Sequence, residues 1–316
     1  MKKKFKNKIF YSCLIGTSVI SLLACNKVHF KNEVNNHASK GMVHSGKIIS
    51  HRGFSSKEID NSLSSLSVGF NSDCSDGVEI DIRYTKDGNI ILSHDSKIND
   101  SKIENTNLSD LDKKKNKCKK EAFFYPFSKL LFSSDGLLSF DRYNEKKDKK
   151  EEYITLDDVI NNYNENKYLL IDIKFADENY IEFIDKINDS LGSINNKSKI
   201  ILQSSDNKKL SEMKKRYSEY KYQILIDSSK DLRKLQNEYE MFGIRKDVIT
   251  KKNIEELLNK NKEVSVWTIT SKRNYDNLED RISGYLDDVF LITDCPDEIC
   301  YLYNSDEDKK LTKKNQ

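Results

Sequence analysis

The sequence predicts an α/β chain folded as a (β/α)8 TIM barrel with an insertion after the early strands. Three observations predict it. Strand-like apolar runs alternate with helix-like stretches from about residue 47 to 304, a pattern that implies parallel strands joined by crossover helices. About 258 residues with eight or so strand-like runs suit a closed barrel better than an open doubly wound sheet. No Gly-rich phosphate loop or dinucleotide fingerprint follows any strand, which weakens the open-sheet alternative.

The chain begins outside the barrel. Residues 1–8 carry five lysines and no acid, residues 9–24 are largely apolar or small, and Leu22-Leu23-Ala24-Cys25 follows. This is a secretory signal layout, and its end resembles a bacterial lipobox. The resemblance implies removal of residues 1–24 and a lipid on Cys25. The apolar run is short for a membrane span, so the lipid would hold a soluble body at a membrane surface. Asn26 rather than Asp follows Cys25. In a Gram-negative bacterium that would point to the outer membrane. The expected location is therefore that of an exported lipoprotein facing periplasm or cell surface. Residues 25–46 lack any period and read as the lipidated cysteine plus a tether.

Removing five lysines and no acid turns the formal net charge from +3 to −2. The mature chain then has no net positive field to attract phosphates at long range, which argues against nucleic acid as a partner. The lysine runs at 113–120 and 146–150 read as solvated faces. Of six cysteines, Cys13 leaves with the signal and Cys25 takes the lipid. Cys74, Cys118, Cys295 and Cys300 remain, and one or two disulfides fit an exported chain, with three possible pairings. No Cys/His cluster has zinc spacing.

Within the barrel, strand-like runs fall at 47–50, 77–84, 89–94, 168–175, 199–204, 222–227, 263–269 and 288–294. Helix-like stretches fall at 155–163, 178–191, 207–217, 229–240, 251–260 and 272–281. Thr155 is an N-cap candidate, with Asp157 and Asp158 where the helix dipole favours acids. Residues 96–153 break the rhythm and read as an insertion near the C-terminal face. They hold an aromatic cluster at 122–132, expected to be the insertion's own small core. Residues 305–316 form a charged tail.

The chemistry-bearing residues gather early. His51, Glu79, Asp81 and His94 fall within 44 residues, each in or at the end of an apolar strand pattern. Glu79 and Asp81 are two apart on one strand, so they share a face and can share a hard metal ion. Asp172, inside LLIDIKF, offers a third carboxylate, and Lys174 shares its side. Arg52 offers a bidentate phosphate contact. Acids inside apolar strands cost free energy unless a metal or partner is present. His51 and His94 can serve as a general base and general acid pair. The set proposes metal-assisted cleavage of a phosphodiester.

The same stretches resemble the glycerophosphodiester phosphodiesterase family. His51-Arg52-Gly53 matches its opening motif. Asp60-Asn61-Ser62 looks like its Glu-Asn-Thr element. EIDIRYTKDGNIILSHD at 79–95 resembles its Glu-x-Asp, Thr-x-Asp-Gly and His-Asp block, including the 13-residue step from Asp81 to His94. TLDDV (155–159), IDIK (171–174), VWTI (266–269) and TDCP (293–296) resemble later landmarks in order. The resemblance implies a barrel, one divalent cation (Ca²⁺ or Mg²⁺), and hydrolysis to glycerol 3-phosphate and an alcohol. It implies catalytic roles for His51 and His94, metal ligation by Glu79, Asp81 and Asp172, and a pocket-lining Trp267. The expected partner is a small phosphodiester or lipid headgroup; oligomeric state stays open. Asp172 stands where the family usually has Glu, and the shorter arm withdraws the carboxylate by roughly 1.5 Å. A phospholipase D-like lyase and a non-catalytic surface adhesin on the same barrel are the alternatives. The full complement of histidines, cations and carboxylates argues against the adhesin.

Overall fold

The structure, a computed structural model, describes residues 46–304 except 99, 112–113, 116–150 and 177, and only the backbone of 114 and 115. The strands of the main sheet are β1 (Lys47–Ser50), β2 (Gly77–Tyr84), β3 (Ile90–Leu92), β4 (Tyr168–Ile173), β5 (Ile200–Ser204), β6 (Lys221–Ile226), β7 (Met241–Arg245), β8 (Glu263–Ile269) and β9 (Val289–Thr293). All but β3 run parallel, in the order β1-β9-β8-β7-β6-β5-β4-β2, and β1 pairs with β2 to close the ring. The predicted (β/α)8 barrel is therefore present.

Two staves differ from expectation. The run at 89–94 is not a stave: β3 pairs antiparallel with β2, Ile82 opposite Leu92. Residues 85–89 join the two strands through a turn in which the Thr85 N–H donates to the Asn89 carbonyl. So short a link cannot make a parallel crossover, which needs a dozen residues or more. The eighth stave is instead β7, whose short run is split by Gly243. A Cβ there would sit 2.6 Å from both Gln223 Nε2 and Leu225 Cδ2, so side-chain ends from the adjacent strand β6 occupy the space over the glycine, and its lack of a side chain hides the strand pattern.

The helices are α1 (Leu63–Asn71), α2 (Leu156–Asn161), α3 (Tyr180–Leu191), α4 (Asn207–Arg216), α5 (Ser229–Leu235), α6 (Lys251–Leu258), α7 (Lys272–Arg281) and α8 (296–304). Ser62, Thr155, Asp206, Ser228, Thr250 and Ser271 cap six of them, each accepting from the third helical N–H. Such caps stabilise a helix start by roughly 1 kcal/mol each. Helix α1 is serine-rich, which masks its period; Leu66 and Phe70 face the core.

Alternate residues of each stave enter the barrel. Its interior is filled by Ile49, Leu170, Ile201, Met241, Phe290 and Ile292, with Tyr168 and Trp267 packed against them. A polar layer lies beside them: Gln223 Nε2 donates to Gln203 Oε1 (2.7 Å) and Ser265 Oγ donates to Gln223 Oε1 (3.1 Å). The interior is thus plugged by side chains, and the polar layer lies toward the C-terminal mouth.

At the base of the insertion, Lys114–Lys115 pairs antiparallel with Glu151–Glu152, so the excursion leaves and returns side by side. Most of it, with the aromatic cluster at 122–132 and Cys118, lies outside the described residues. So do the signal, Cys25, the tether to residue 45 and the tail. Among the described residues no helix is long and apolar enough to cross a membrane. Cys74, Cys295 and Cys300 are buried free thiols, so the expected disulfide is not formed among them.

Candidate active site

The staves' parity decides what reaches the mouth. On β2 the barrel-facing set includes Glu79 and Asp81; on β4 it runs Leu170, Asp172, then Lys174; on β1, Ile49 is followed by His51. These ends surround a cavity of about 240 Å³ lined by His51, Arg52, Glu79, Asp81, His94, Asp172, Lys174 and Trp267. The structure thus brings together every site residue expected within the barrel, although His51 and Trp267 are 216 positions apart.

Three carboxylates form the floor. Glu79, Asp81 and Asp172 are 2 %, 1 % and 5 % exposed, and each offers an oxygen within 4.8 Å of the others. Asp81 and Asp172 are register partners on adjacent strands, so the shorter arm of Asp172 still reaches the group. Burial pushes Glu79 up to about 7, with Asp81 and Asp172 adding repulsion against His51 and Arg52. Burial also raises Asp172 to about 6, aided by Asp81 and opposed by Lys174. Asp81 is held well below the usual range: burial opposes its charge, but Arg52 and Lys174 prevail. Three buried acids therefore face two strong bases, a shortage of positive charge. Hard oxygen donors in that state fit a divalent cation such as Ca²⁺ or Mg²⁺.

The cations are fixed against this floor. Lys174 Nζ lies 2.5 Å from Asp172 Oδ2 and 3.1 Å from Asp81 Oδ1. Arg52 Nε lies 3.1 Å from Asp81 Oδ2, and its Nη1 is 3.8 Å from Asp60. The Arg52 backbone is left-handed (φ 56°), a conformation that costs roughly 1–3 kcal/mol in a non-glycine residue. It is held there because its N–H donates to Glu79 Oε2 (3.0 Å) while its carbonyl accepts from Asn61 N–H and Ser65 Oγ. Gly53 follows with φ 80°, where a Cβ would strike Ser65 at 2.3 Å.

The histidines differ. His51 is tied by Nδ1 to Asp294 Oδ1 at 2.6 Å, with Nε2 3.9 Å from Glu79 Oε2. Burial and Arg52 act to lower its pKa, but Asp294 and Glu79 outweigh them and raise it. His94 has 43 % side-chain exposure and an Nδ1 contact with Asp95 Oδ1 at 3.1 Å. Burial, then Arg52, lowers its pKa. One imidazole thus favours its proton and the other does not.

Four further residues were not singled out as site residues from the sequence. Asp294 lay inside the TDCP landmark, but only closure of the ring brings β9 beside β1. Asn61 lay inside the 60–62 element; its Nδ2 donates to Asp81 Oδ2 and its Oδ1 accepts the Asp81 N–H, both at 3.0 Å. Arg83 sits two residues beyond Asp81 on the same face, and its Nε and Nη2 donate to the His94 carbonyl at 3.1 and 2.7 Å. Asp227 lines the cavity from the end of β6; its signal was the parity of Gln223, Leu225 and Asp227.

The sequence profile of the glycerophosphoryl diester phosphodiesterase family matches residues 51–298, the stretch that supplies every wall of this cavity. The chain belongs to that family. Solved structures agree on the fold. A glycerophosphodiester phosphodiesterase from Thermotoga maritima aligns at 20 % identity with a TM-score of 0.57, over 83 % of this chain and all of that one. One from Parabacteroides distasonis gives 18 % and 0.61, over 84 % and 100 %. An Oleispira antarctica phosphodiesterase, solved with the product sn-glycerol-3-phosphate, gives 19 % and 0.57, over 80 % and 94 %. No curated protein matches the sequence. A glycerophosphodiester phosphodiesterase fold, a buried acidic triad and two imidazoles at one barrel mouth thus stand together in this family member.

Proposed function

We propose that this phosphodiesterase hydrolyses glycerophosphodiesters to glycerol 3-phosphate and an alcohol, using one divalent cation (Ca²⁺ or Mg²⁺) and the His51–His94 pair. The observation that carries the reading is the convergence of three buried carboxylates, two fixed cations and two imidazoles on one cavity. Glu79, Asp81 and Asp172 would hold the cation. When bound, it supplies Lewis-acid charge stabilisation to a phosphate oxygen.

The chain's own residues do the rest. Three acids and two bases leave the floor one negative charge in excess; a divalent cation turns that into one positive charge, which a phosphodiester monoanion neutralises. Arg52 and Lys174 orient the phosphate from fixed positions, so little reorganisation is needed as charge develops. His94, whose pKa is lowered, takes a proton from the attacking oxygen. His51, whose pKa is raised and whose ring Asp294 fixes, gives a proton to the leaving oxygen. The lipobox-like ending at Cys25 supports the companion reading that this happens at a membrane surface outside the cytoplasm.

The test is glycerol 3-phosphate release from glycerophosphocholine by residues 26–316, without the signal and the lipidated cysteine, beside His51→Ala and His94→Ala. The expected outcome is metal-dependent release by the wild type and at least a 100-fold loss in each variant, with unchanged circular dichroism. Full turnover in either folded variant would remove the two-histidine reading. No release by folded, metal-loaded wild type would remove the proposed reaction.

A further inference from the structure

The cavity has a second side that the phosphate chemistry does not use. In the ring order, β6 lies opposite β1 and β8 lies opposite β4. The acidic floor, Arg52 and Lys174 belong to β1, β2 and β4. The facing wall comes from Leu225, Asp227 and Trp267. Asp227 is two residues past Leu225 and four past Gln223, which is buried in the barrel's polar layer, so parity turns it to the mouth. Among the described residues no base is paired with Asp227. Trp267 packs on the interior layer, and its Nε1 donates to the Gly243 carbonyl at 2.9 Å, which fixes the indole.

We propose that Asp227 and Trp267 form a subsite for the alcohol moiety that selects alcohols carrying an ammonium or quaternary ammonium group. This rests on the hydrolytic reading above. A phosphate held at β1, β2 and β4 must send one substituent toward the opposite wall. That wall presents an aromatic ring with a carboxylate. Aromatic faces attract compact cations, and an acid lining the same cavity adds Coulomb attraction. A neutral polyol or an anionic alcohol gains neither. An ammonium group would be placed at the exposed carboxylate, away from Arg52 and Lys174, which would repel it.

The test measures kcat/KM for glycerophosphocholine, glycerophosphoethanolamine and glycerophosphoglycerol with wild type, Asp227→Asn and Asp227→Lys. The expected result is a preference of wild type for the two cationic substrates. That preference should shrink roughly fivefold to tenfold in D227N through KM, and further in D227K. An unchanged preference in both variants would overturn the subsite while leaving the hydrolysis reading intact. Wild type that cleaves none of the three would overturn both.

Discussion

Asp294→Asn isolates what holds one imidazole in place. The carboxylate accepts from His51 Nδ1 at 2.6 Å, and an amide oxygen can accept the same hydrogen bond, so the ring loses a charged neighbour but keeps one of the same shape. The Asp294 backbone carbonyl accepts from Ser56 N–H and the side chain from Ser55 Oγ; both can persist. A hydrogen bond to a charged group contributes about 1.5–3 kcal/mol, which corresponds to roughly 10–150-fold in rate if the protonated ring is stabilised in the transition state. The sign on pH follows from the same contact. Asp294 and Glu79 raise the His51 pKa, while burial and Arg52 lower it. With Asp294 neutral, the lowering influences gain and the pKa drops. A proton donor with a lower pKa is lost earlier as pH rises, so the alkaline limb of kcat/KM moves to lower pH. The assay is glycerol 3-phosphate release between pH 5 and 9 at saturating cation. Wild-type rates with an unmoved alkaline limb would refute the role given to Asp294 and the donor role of His51.

Other outcomes follow from the same geometry. Glu79→Gln should weaken cation binding and turnover together; activity lost at unchanged cation affinity would mean that Glu79 is not a ligand. In EDTA the same variant should melt higher than wild type at pH 8 and equally at pH 4. The folded pKa of about 7 exceeds the unfolded value of about 4.3, so stability is full below the latter and lost as pH rises through the former. Differential scanning calorimetry at both pH values checks it. Arg83→Ala removes both donors to the His94 carbonyl and should lower kcat about tenfold with little change in KM; a change confined to KM would contradict a positioning role. Cys25→Ser should release the full-length protein from membranes on fractionation, and unchanged membrane association would argue for a transmembrane anchor.

Much of the site was legible because strand parity is a local rule. Glu79 and Asp81 had to share a face, as did Asp172 and Lys174, whatever the rest of the chain did. The burial cost of acids in apolar strands pointed to the same place. What stayed hidden depended on closure. Asp294 and His51 are 243 positions apart, and nothing in either segment names its partner until β9 pairs with β1. The stave β7 was missed because Gly243 answers to a side chain from β6, not to its own neighbours. The 89–94 run was apolar enough for a stave but was tethered too closely to β2. Helix α1 was obscured because its serines serve the cap and the Arg52 loop rather than an amphipathic face: Ser62 caps the helix and Ser65 Oγ donates to the Arg52 carbonyl.

The central claim is that the buried acids at the mouth hold one cation and that the cation is required for turnover. Cation content and glycerol 3-phosphate release should be measured on the same EDTA-treated protein as Ca²⁺ or Mg²⁺ is added back. The account predicts no release without metal, recovery in step with one bound cation per chain, and neither binding nor recovery in Asp81→Asn. Full turnover with no bound cation would contradict it.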